Sequence, residues 1–420
     1  MNTTRDFARS LDEQDELRAF RDKFSLPLRA DGSPLVYFAG NSLGLSPKTT
    51  PAVIGSELEK WAQLGVEGHF AREAPWYSYH QLVRDASAHL IGARPEEVVI
   101  MNTLTVNLHL MMVSFYRPTR DRYAILVDHP TFPSDLYAVK SQLRFHGQDS
   151  SKALIRAEPR PGEHTVRMED FEELFHSRGK EIALVLINGV NFFTGQAFDI
   201  KRVVALAHRA GARIGIDLAH SVGNVPLELH DAGPDFAAWC NYKYLNSGPG
   251  AIAGCFVHER HLHDSTLQRF SGWWGNDPET RFEMGPDFVP VPSADGWAVS
   301  NPPIFSLAPL RSSLALFDQA TMPKLRKKSC LMSQYFDFLT EDVTRGEVKI
   351  ITPKEAPERG AQISMLVDQN PEAFHQALLA SGIVCDFRKP NVVRVAPTPL
   401  YNTFQEIWQF ADILKRHVGK

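Results

Sequence analysis

RIGIDLAHSVGNVPLELHDAGPDFAAWCNYKYLNSGPG, residues 213–250, is the stretch that decides which fold we expect for this chain. One apolar run ends at Asp217, and a second, 236–240, ends shortly before Lys243. A carboxylate and a lysine at two strand ends suit pyridoxal phosphate, because the lysine bonds to the cofactor and the aspartate keeps its pyridine nitrogen protonated. The stretch therefore predicts an enzyme that uses pyridoxal phosphate on an amino acid.

Short apolar runs alternate with helical patterns on both sides of this stretch. The candidate strands are 98–101, 123–127, 182–187, 213–216, 236–240 and 254–257. Apolar residues at helical spacing predict helices near 136–143 and 200–207, and Gly211 is a stop signal for the second. The alternation predicts an α/β fold, with a mostly parallel sheet covered by helices on both faces. Ligands of such sheets bind beyond the carboxyl ends of the strands, where Asp217 and Lys243 fall.

The rest of the chain has a different pattern. The region from Gly272 to Pro309 is rich in Gly, Pro, Trp and Asn, which indicates long ordered loops. Helices and short strands are expected after it, and Thr403 with Glu406 forms a capping box before the last helix. We therefore expect an N-terminal segment (1–45) packed on the small domain, a large cofactor-binding domain (46–309) and a small α+β domain (310–420).

Composition excludes several classes of protein. The 420 residues are 43% hydrophobic and 22% charged with a net charge of −4, so neither a nucleic-acid partner nor a membrane partner is expected. The first residues carry acidic side chains and no apolar core, so we expect neither a signal nor a transit peptide, and a cytoplasmic location. The four cysteines lie far apart without a CxxC pair, which indicates reduced thiols rather than a disulfide framework or a zinc site.

Two strand-to-helix turns suit a cofactor site, and each has a plainer alternative. Asn102 to Thr105 follow a predicted strand, so they either hold a phosphate on free backbone amides or only cap a helix. Phe132 to Asp135 either offer a ring that stacks on the cofactor or only begin a helix with proline at its first position.

Three other features also allow a functional and a plainer interpretation. Tyr242 suits a hydrogen bond to phosphate or proton transfer, or else packing at a strand end. Arg394, in a β-branched run, suits a bidentate grip on a substrate carboxylate, or else an exposed edge charge. The histidine pair within 261–264 is interpreted as part of a polar surface helix and not as a metal site.

Nine segments together resemble the kynureninase family. They are FAGNSLGLSP (38–47), TLTVNLH (103–109), HPTFPSDLYA (129–138), TGQAFDI (194–200), residues 216–250 of the stretch above, GWWG (272–275), SNPPI (300–304), RGAQIS (359–364) and VVRVAPTPLYN (392–402). The resemblance runs from about residue 10 to the C-terminus. It implies the pyridoxal-phosphate-dependent transferase fold of type I, and a homodimer with shared active sites.

The resemblance also implies site residues. Around the cofactor it places Leu104, Thr105, Phe132, Asp135, Asn188, Asp217, His220, Tyr242 and Lys243, with Trp273 and Asn301 from the partner subunit. Around the substrate it places Ser42, His69, Asn301 and Arg394. The implied catalytic residues are Lys243, Tyr242 and Asp217. Asn188 and Asn241 stand where relatives usually carry Ser or Thr, which puts the individual phosphate and ring contacts in question.

The implied activity is hydrolytic cleavage of the Cβ–Cγ bond of L-kynurenine or 3-hydroxy-L-kynurenine to L-alanine and anthranilate or 3-hydroxyanthranilate. His69 and Asn301 resemble the pocket of kynureninases that prefer the 3-hydroxy substrate. Two rivals stay open at this point. One is another type I enzyme, such as a cysteine desulfurase or a class V aminotransferase, and the other is a non-catalytic binding protein on the same fold.

Overall fold

The computed structural model describes residues 1–341 and 348–418. Its strands are β1 (Val36–Tyr37), β2 (Val98–Ile100), β3 (Ala124–Asp128), β4 (Leu154–Ala157), β5 (Ile182–Asn188), β6 (Arg213–Asp217), β7 (Phe236–Cys240), β8 (Ala253–Val257), β9 (Val348–Ile350), β10 (Ile363–Val367), β11 (Ile383–Val384), β12 (Asp386–Arg388) and β13 (Val392–Val395). Its helices are α1 (Arg5–Glu13), α2 (Thr50–Leu64), α3 (Gln81–Leu90), α4 (Leu104–Phe115), α5 (Pro133–Phe145), α6 (Ser150–Ala153), α7 (Met168–Arg178), α8 (Ile200–Ala210), α9 (Leu229–Ala232), α10 (Ile304–Ala320), α11 (Met322–Thr340), α12 (Pro371–Ala380) and α13 (Phe404–Val418).

The central sheet has the strand order β2-β8-β7-β6-β5-β3-β4. The strands from β7 to β4 run parallel, while β8 lies antiparallel to both of its neighbours. Every strand that we predicted is present, with its ends within one residue, and the α/β fold is confirmed. Strand β4 was not predicted, because this edge strand is only four residues long and includes an exposed arginine.

Both faces of the sheet are covered, as expected. In β5, Leu184 and Leu186 pack with apolar residues of α4 and α5. Val185 and Ile187 pack on the opposite face with apolar residues of α7 and α8. Helix α8 ends where predicted, because Gly211 adopts the left-handed conformation at φ 78° and stops it.

The prediction of loops as far as Pro309 is wrong for its last residues. The segment 273–297 consists of turns and short 3-10 helices, as expected, but α10 begins at Ile304 and contains Pro309. The missing amide of a proline weakens a helix, yet Leu307, Ala308 and Leu310 around it are buried. Their burial holds the helix together through the proline.

The C-terminal part forms a four-stranded antiparallel sheet in the order β12-β13-β10-β9, packed with α11 and α13. The predicted capping box is confirmed: the Glu406 amide donates to Thr403 Oγ1 at 3.1 Å, and the Thr403 amide donates to Glu406 Oε2 at 3.0 Å. Helix α1 lies against α13, and the Asp12 carboxylate accepts a hydrogen bond from the Phe404 amide at 2.7 Å. The three-part division of the chain stays a prediction, and its 309/310 boundary falls inside α10.

Within residues 1–341 and 348–418, no helix combines the length and the apolar character that crossing a membrane requires. The four cysteines are free thiols, and three of them are buried.

Candidate active site

The parallel strands of the central sheet point their carboxyl ends at a cavity of about 200 Å³. The chain segments that follow β2, β3, β5, β6 and β7 supply its walls. Nine of the residues expected around the cofactor line it, namely Leu104, Thr105, Phe132, Asp135, Asn188, Asp217, His220, Tyr242 and Lys243. The fold therefore gathers side chains that are far apart in sequence, because neighbouring parallel strands end at one edge.

Lys243 follows β7, and its amine lies deep in the site. Its Nζ is 2.9 Å from His220 Nε2 and about 6 Å from the ring centres of Phe132 and Tyr242. Burial lowers the pKa of His220 well below its ordinary value, and the charges of Lys243 and Arg394 lower it further. His220 is therefore a neutral ring, and its Nε2 lies within hydrogen-bond distance of the lysine amine.

Three buried carboxyl groups converge opposite the lysine. Asp217 ends β6, and Asp135 lies in the first turn of α5 with no hydrogen bond to either carboxyl oxygen among the described residues. Burial raises the pKa of Asp135 well above its usual range, and the neighbouring Asp217 raises it further. Asp128 ends β3, and burial raises its pKa to about 6 although hydrogen bonds from Asn191 and Asn188 oppose the shift. This edge has a surplus of negative charge that a cationic ligand atom would neutralise.

The turn before α4 is open to a ligand. Thr103 has an extended backbone before the helix, and its side chain makes no capping hydrogen bond. The first amides of α4 thus lack the side-chain acceptor that a helix start usually has, while Thr103, Leu104 and Thr105 line the cavity. Thr105 Oγ1 lies 2.9 Å from Ser134 Oγ. A helix N-terminus beside two hydroxyl groups is suited to a phosphate.

The second turn begins a helix, and its aromatic side chain faces the cavity. Phe132 precedes α5 with Pro133 at the first helical position, as the plainer interpretation predicted. The Phe132 ring also lines the cavity and meets the Phe192 ring edge-on, with centroids 5.1 Å apart. The carboxyl group of Asp135 makes no capping hydrogen bond and is left to the cavity.

The residues of the cavity fit pyridoxal phosphate. The two unpartnered oxygens of Asp135, beside Asp217, would pair with a protonated pyridine nitrogen. The amides and hydroxyls at the start of α4 would hold the phosphate, Phe132 would contact the ring, and Lys243 would form the covalent bond.

Other predicted residues lie outside this cavity in the single chain. The loop of Ser42 is attached to the lysine segment, because the Gly44 amide donates to the Tyr242 carbonyl at 2.8 Å. His69 lies in a 3-10 turn after α2 and packs edge-on against Trp76.

The residues expected from a partner subunit are also outside the cavity. Asn301 lines a separate cavity of about 190 Å³ that includes Asn102, the first residue of the turn before α4. Trp273 is 38% exposed and packs against Phe282.

Arg394 is buried, and the expectation of an exposed edge charge is excluded by its 1% exposure. Its Nε donates to Asp386 Oδ1 at 3.0 Å, and its Nη1 donates to the Phe192 carbonyl at 2.5 Å. These contacts tie Arg394 to the chain segment that also touches the Phe132 ring.

Sequence reasoning missed several residues of the site. Val190 and Phe192 line the cavity, and Asp128 and Asn191 are hydrogen-bonded to each other next to the backbone of Asn188, which also lines it. Asp128 gave a usable signal, because it directly follows a predicted strand just as Asp217 does. Asn191 gave none, since a lone Asn in a loop is common.

The interpretation of 261–264 as a polar surface helix is wrong. His261 belongs to a short 3-10 helix and is buried, with Nε2 at 2.8 Å from Asp235 Oδ1 and its ring against Phe115. The apolar neighbours and a buried carboxylate draw it inside, which sequence periodicity does not reveal.

Comparisons with known proteins agree with this geometry. Among solved structures, the cysteine desulfurase from Thermococcus onnurineus has a TM-score of 0.74 at 18% identity, covering 92% of this chain and 95% of that one. The cysteine desulfurase CsdA from Escherichia coli has a TM-score of 0.76 at 15% identity, covering 96% and 98%. A C-DES mutant solved with glycine covalently linked to its pyridoxal-phosphate cofactor has a TM-score of 0.74 at 18% identity, covering 90% and 96%. Fold and site together define a type I pyridoxal-phosphate enzyme.

The relatives in sequence are more specific. The kynureninase of Myxococcus xanthus is 54% identical over 411 residues, covering 98% of this chain and 96% of that protein. The kynureninase of Koribacter versatilis is 49% identical over 411 residues, covering 98% and 97%. A family model described as the kynureninase C-terminal domain matches residues 325–414. The chain belongs to the kynureninase family, whose members are pyridoxal-phosphate-dependent hydrolases of carbon–carbon bonds.

Proposed function

We propose that this enzyme hydrolyses the Cβ–Cγ bond of L-kynurenine and 3-hydroxy-L-kynurenine to L-alanine and anthranilate or 3-hydroxyanthranilate. The observation that carries the proposal is the pairing of Lys243 with a neutral His220, 2.9 Å away, opposite the carboxyl groups of Asp217 and Asp135. It occurs in a chain that is 54% identical to a kynureninase over nearly its whole length.

Four side chains of the cavity have a task in this reaction. When bound, pyridoxal phosphate supplies a ring that accepts electrons from bonds at the substrate's α-carbon. Asp217 and Asp135 keep the ring nitrogen protonated. The Lys243 amine takes up the α-proton as a general base, and His220 orients that amine through Nε2.

Two other residues complete the proposed site. Burial raises the pKa of Tyr242, so its hydroxyl keeps its proton at neutral pH and can donate it near the phosphate. Arg394, buried between Asp386 and the Phe192 carbonyl, binds the substrate α-carboxylate.

For the choice between substrates, we propose a preference for 3-hydroxykynurenine. His69 and Asn301 would pair with the ring hydroxyl, and a site that pairs a hydroxyl rejects the analogue that lacks it. Replacing both by apolar residues, His69→Phe with Asn301→Leu, should shift the ratio of kcat/KM values toward kynurenine. An unchanged ratio would refute the pocket argument.

The active form is proposed to be a homodimer with shared sites in the cytoplasm. Aromatic side chains form an exposed surface that runs from Phe70 through Tyr77 and Phe282 to Trp273, with ring centroids 5.8 to 6.0 Å apart. Phe70 and Phe282 are 67% and 60% exposed, which favours a protein partner at this surface. Sedimentation equilibrium checks the dimer, and Phe282→Asp should weaken it.

The rival activity of a cysteine desulfurase has little support in this chain. It requires a mobile, reactive cysteine near the cofactor, whereas Cys385 is buried with a pKa raised by burial and Cys330 lies inside α11. The chain belongs to the kynureninase family by sequence, and its likeness to the desulfurases is one of fold.

The deciding experiment follows product release from L-kynurenine and 3-hydroxy-L-kynurenine on the protein loaded with pyridoxal phosphate. We expect the aryl acid and alanine in equal amounts, and the ratio of the two rates measures the preference. If cofactor absorbance is present and neither aryl acid appears, the proposed reaction is wrong.

A further inference from the structure

Asn191 organises a tight turn beside the active site. It is 1% exposed, and its Oδ1 accepts hydrogen bonds from the Phe193 amide at 2.9 Å, the Thr194 amide at 3.1 Å and the Thr194 hydroxyl at 3.3 Å. Its Nδ2 donates to Asp128 Oδ2 at 2.8 Å and to the Pro130 carbonyl at 3.1 Å. Both ends of the amide are therefore engaged, which a carboxylate or an apolar side chain cannot reproduce.

The Asp128 carboxylate holds the Asn191 side-chain amide in place through this hydrogen bond. Its side chain is fully buried, and its second oxygen, Oδ1, accepts a hydrogen bond from the Asn188 amide at 3.0 Å. The carboxylate thus links the end of β3, the end of β5 and the turn that follows β5. A rigid strand end holds Asn191 in place.

The turn carries two contacts that reach the active site. The Phe192 ring meets the Phe132 ring edge-on at 5.1 Å, and both rings line the cofactor cavity. The Phe192 carbonyl accepts hydrogen bonds from Arg394 Nη1 at 2.5 Å and from Gln362 Nε2 at 2.9 Å. One residue of the turn therefore touches both the cofactor end and the carboxylate-binding end of the site.

We propose that Asn191 is a positioning residue: held by Asp128, it fixes turn 191–194 so that Phe192 sets both the Phe132 ring and the Arg394 guanidinium. The part of the proposal that concerns Arg394 rests on the proposed function, because only a substrate with a carboxylate would bind this guanidinium. The part that concerns Phe132 rests on cofactor binding alone.

The test measures two constants on the same variants. Asn191→Ala removes the partner of Asp128 Oδ2 and the side-chain acceptor of two turn amides, so the turn should shift. We expect the dissociation constant of pyridoxal phosphate, from titration of the apoprotein, and KM for kynurenine each to rise by about tenfold. The decrease in kcat should be smaller than the rise in KM, because the reacting groups are untouched.

Asn402 is a matched control. It is likewise 1% exposed and organises a turn, accepting from the Thr398 amide at 2.7 Å and donating to the Tyr37 carbonyl at 3.0 Å and Glu406 Oε2 at 2.9 Å. Asn402→Ala should reduce the thermal stability to a similar extent yet leave both constants within about twofold of wild type. Equal values of both constants in the two variants would reduce Asn191 to a structural residue and overturn the proposal.

A side-chain exchange provides a second test if Asn191→Ala folds poorly. In Asn191→Asp the new carboxylate faces Asp128, and both constants should rise. In the double variant Asp128→Asn, Asn191→Asp the amide and the carboxylate trade places, so the hydrogen bond between them returns with its direction reversed. Both constants should then recover part of the way to wild type, because the Pro130 carbonyl still lacks its donor, and no recovery would overturn the proposal.

The two readouts separate the possible failures. Cofactor binding is measured without substrate, so it tests the positioning of Phe132 even if kynurenine is not turned over. A rise in KM without a change in cofactor affinity, or the reverse, overturns the claim that one turn sets both ends. If the wild-type protein binds pyridoxal phosphate but releases no aryl acid, the proposed reaction is wrong. The cofactor titration alone then tests whether Asn191 positions Phe132.

Discussion

The amino ends of the parallel strands form one edge of the central sheet, the amino edge, and there the buried carboxylate of Asp235 is surrounded by hydrogen-bond donors. At the carboxyl edge, where these strands end, Asp135 has no such donor among the described residues. Asp235 Oδ2 accepts from His208 Nε2 at 3.0 Å and from the Ile214 amide at 2.8 Å, while Oδ1 lies 2.8 Å from His261 Nε2. Burial alone would raise the pKa of Asp235, but these hydrogen bonds hold it well below its usual range.

The opposite edge lacks such compensation. Asp135 and Asp217 face each other, and both burial and this proximity raise the pKa of Asp135 well above normal. The difference separates two uses of a buried charge. Donors of the chain itself surround Asp235, whereas we propose that the charge of Asp135 is balanced by the cationic ring of the bound cofactor.

The largest expected effect is at the carboxyl edge and concerns activity alone. Lys243→Ala removes the amine that we propose bonds to the cofactor and moves the α-proton, so release of the aryl acid should fall by at least about a thousandfold. The thermal unfolding of the apoprotein should change little, and Lys140→Ala, an exposed lysine on α5, is the control. Activity near that of wild type would exclude Lys243 as the catalytic lysine.

At the amino edge a substitution should lower the stability and leave the activity nearly unchanged. Asp235→Ala strips the partner from two histidines and Arg213, and we expect a loss of about 3–5 kcal/mol in the free energy of unfolding, measured with urea. The kcat/KM of the folded enzyme should stay within about twofold of wild type. The exposed Asp121→Ala is the control, and an Asp235 variant of normal stability but low activity would remove the distinction between the edges.

The sequence allowed the functional edge to be predicted better than the structural one. Asp217 and Lys243 follow apolar runs, and parallel strands carry such ends to one place, so their proximity could be predicted. Asn191 and His261 act through contacts made only after folding, and a polar residue in a loop gives no periodic signal. The sequence also did not predict that α10 begins at Ile304, because the burial that supports the helix around Pro309 depends on tertiary packing.

A change of pH should affect the stability contributions of Asp135 and Asp235 in opposite directions. The pKa of Asp135 in the fold is raised above its ordinary 3.8, so its contribution to apoprotein stability is full below that pH and is lost as the pH rises. The pKa of Asp235 is lowered from the same 3.8, so its contribution is present above that pH and is lost as the pH falls.

Asp135→Asn imitates the protonated acid and can donate to Asp217. The variant apoprotein should gain about 1–3 kcal/mol over wild type at pH 8 and less at pH 5, in urea unfolding at the two pH values. Its affinity for pyridoxal phosphate should fall, because a negative charge beside the ring nitrogen is lost. A variant that is destabilised equally at both pH values would show that ionisation of Asp135 does not destabilise the apoprotein.

The smallest expected effect tests which partners hold Asp235. The Arg213 side chain is 46% exposed, and its Nη1 lies 3.1 Å from Asp235 Oδ1. Water and salt screen an exposed cation, so Arg213→Ala should reduce stability by less than about 1 kcal/mol, and by less still at high salt. The buried His261 and the Ile214 amide would then account for most of the effect of Asp235→Ala. If Arg213→Ala instead reproduces the whole loss, a single surface ion pair stabilises the amino edge, and its contrast with the carboxyl edge is one of exposed against buried charge.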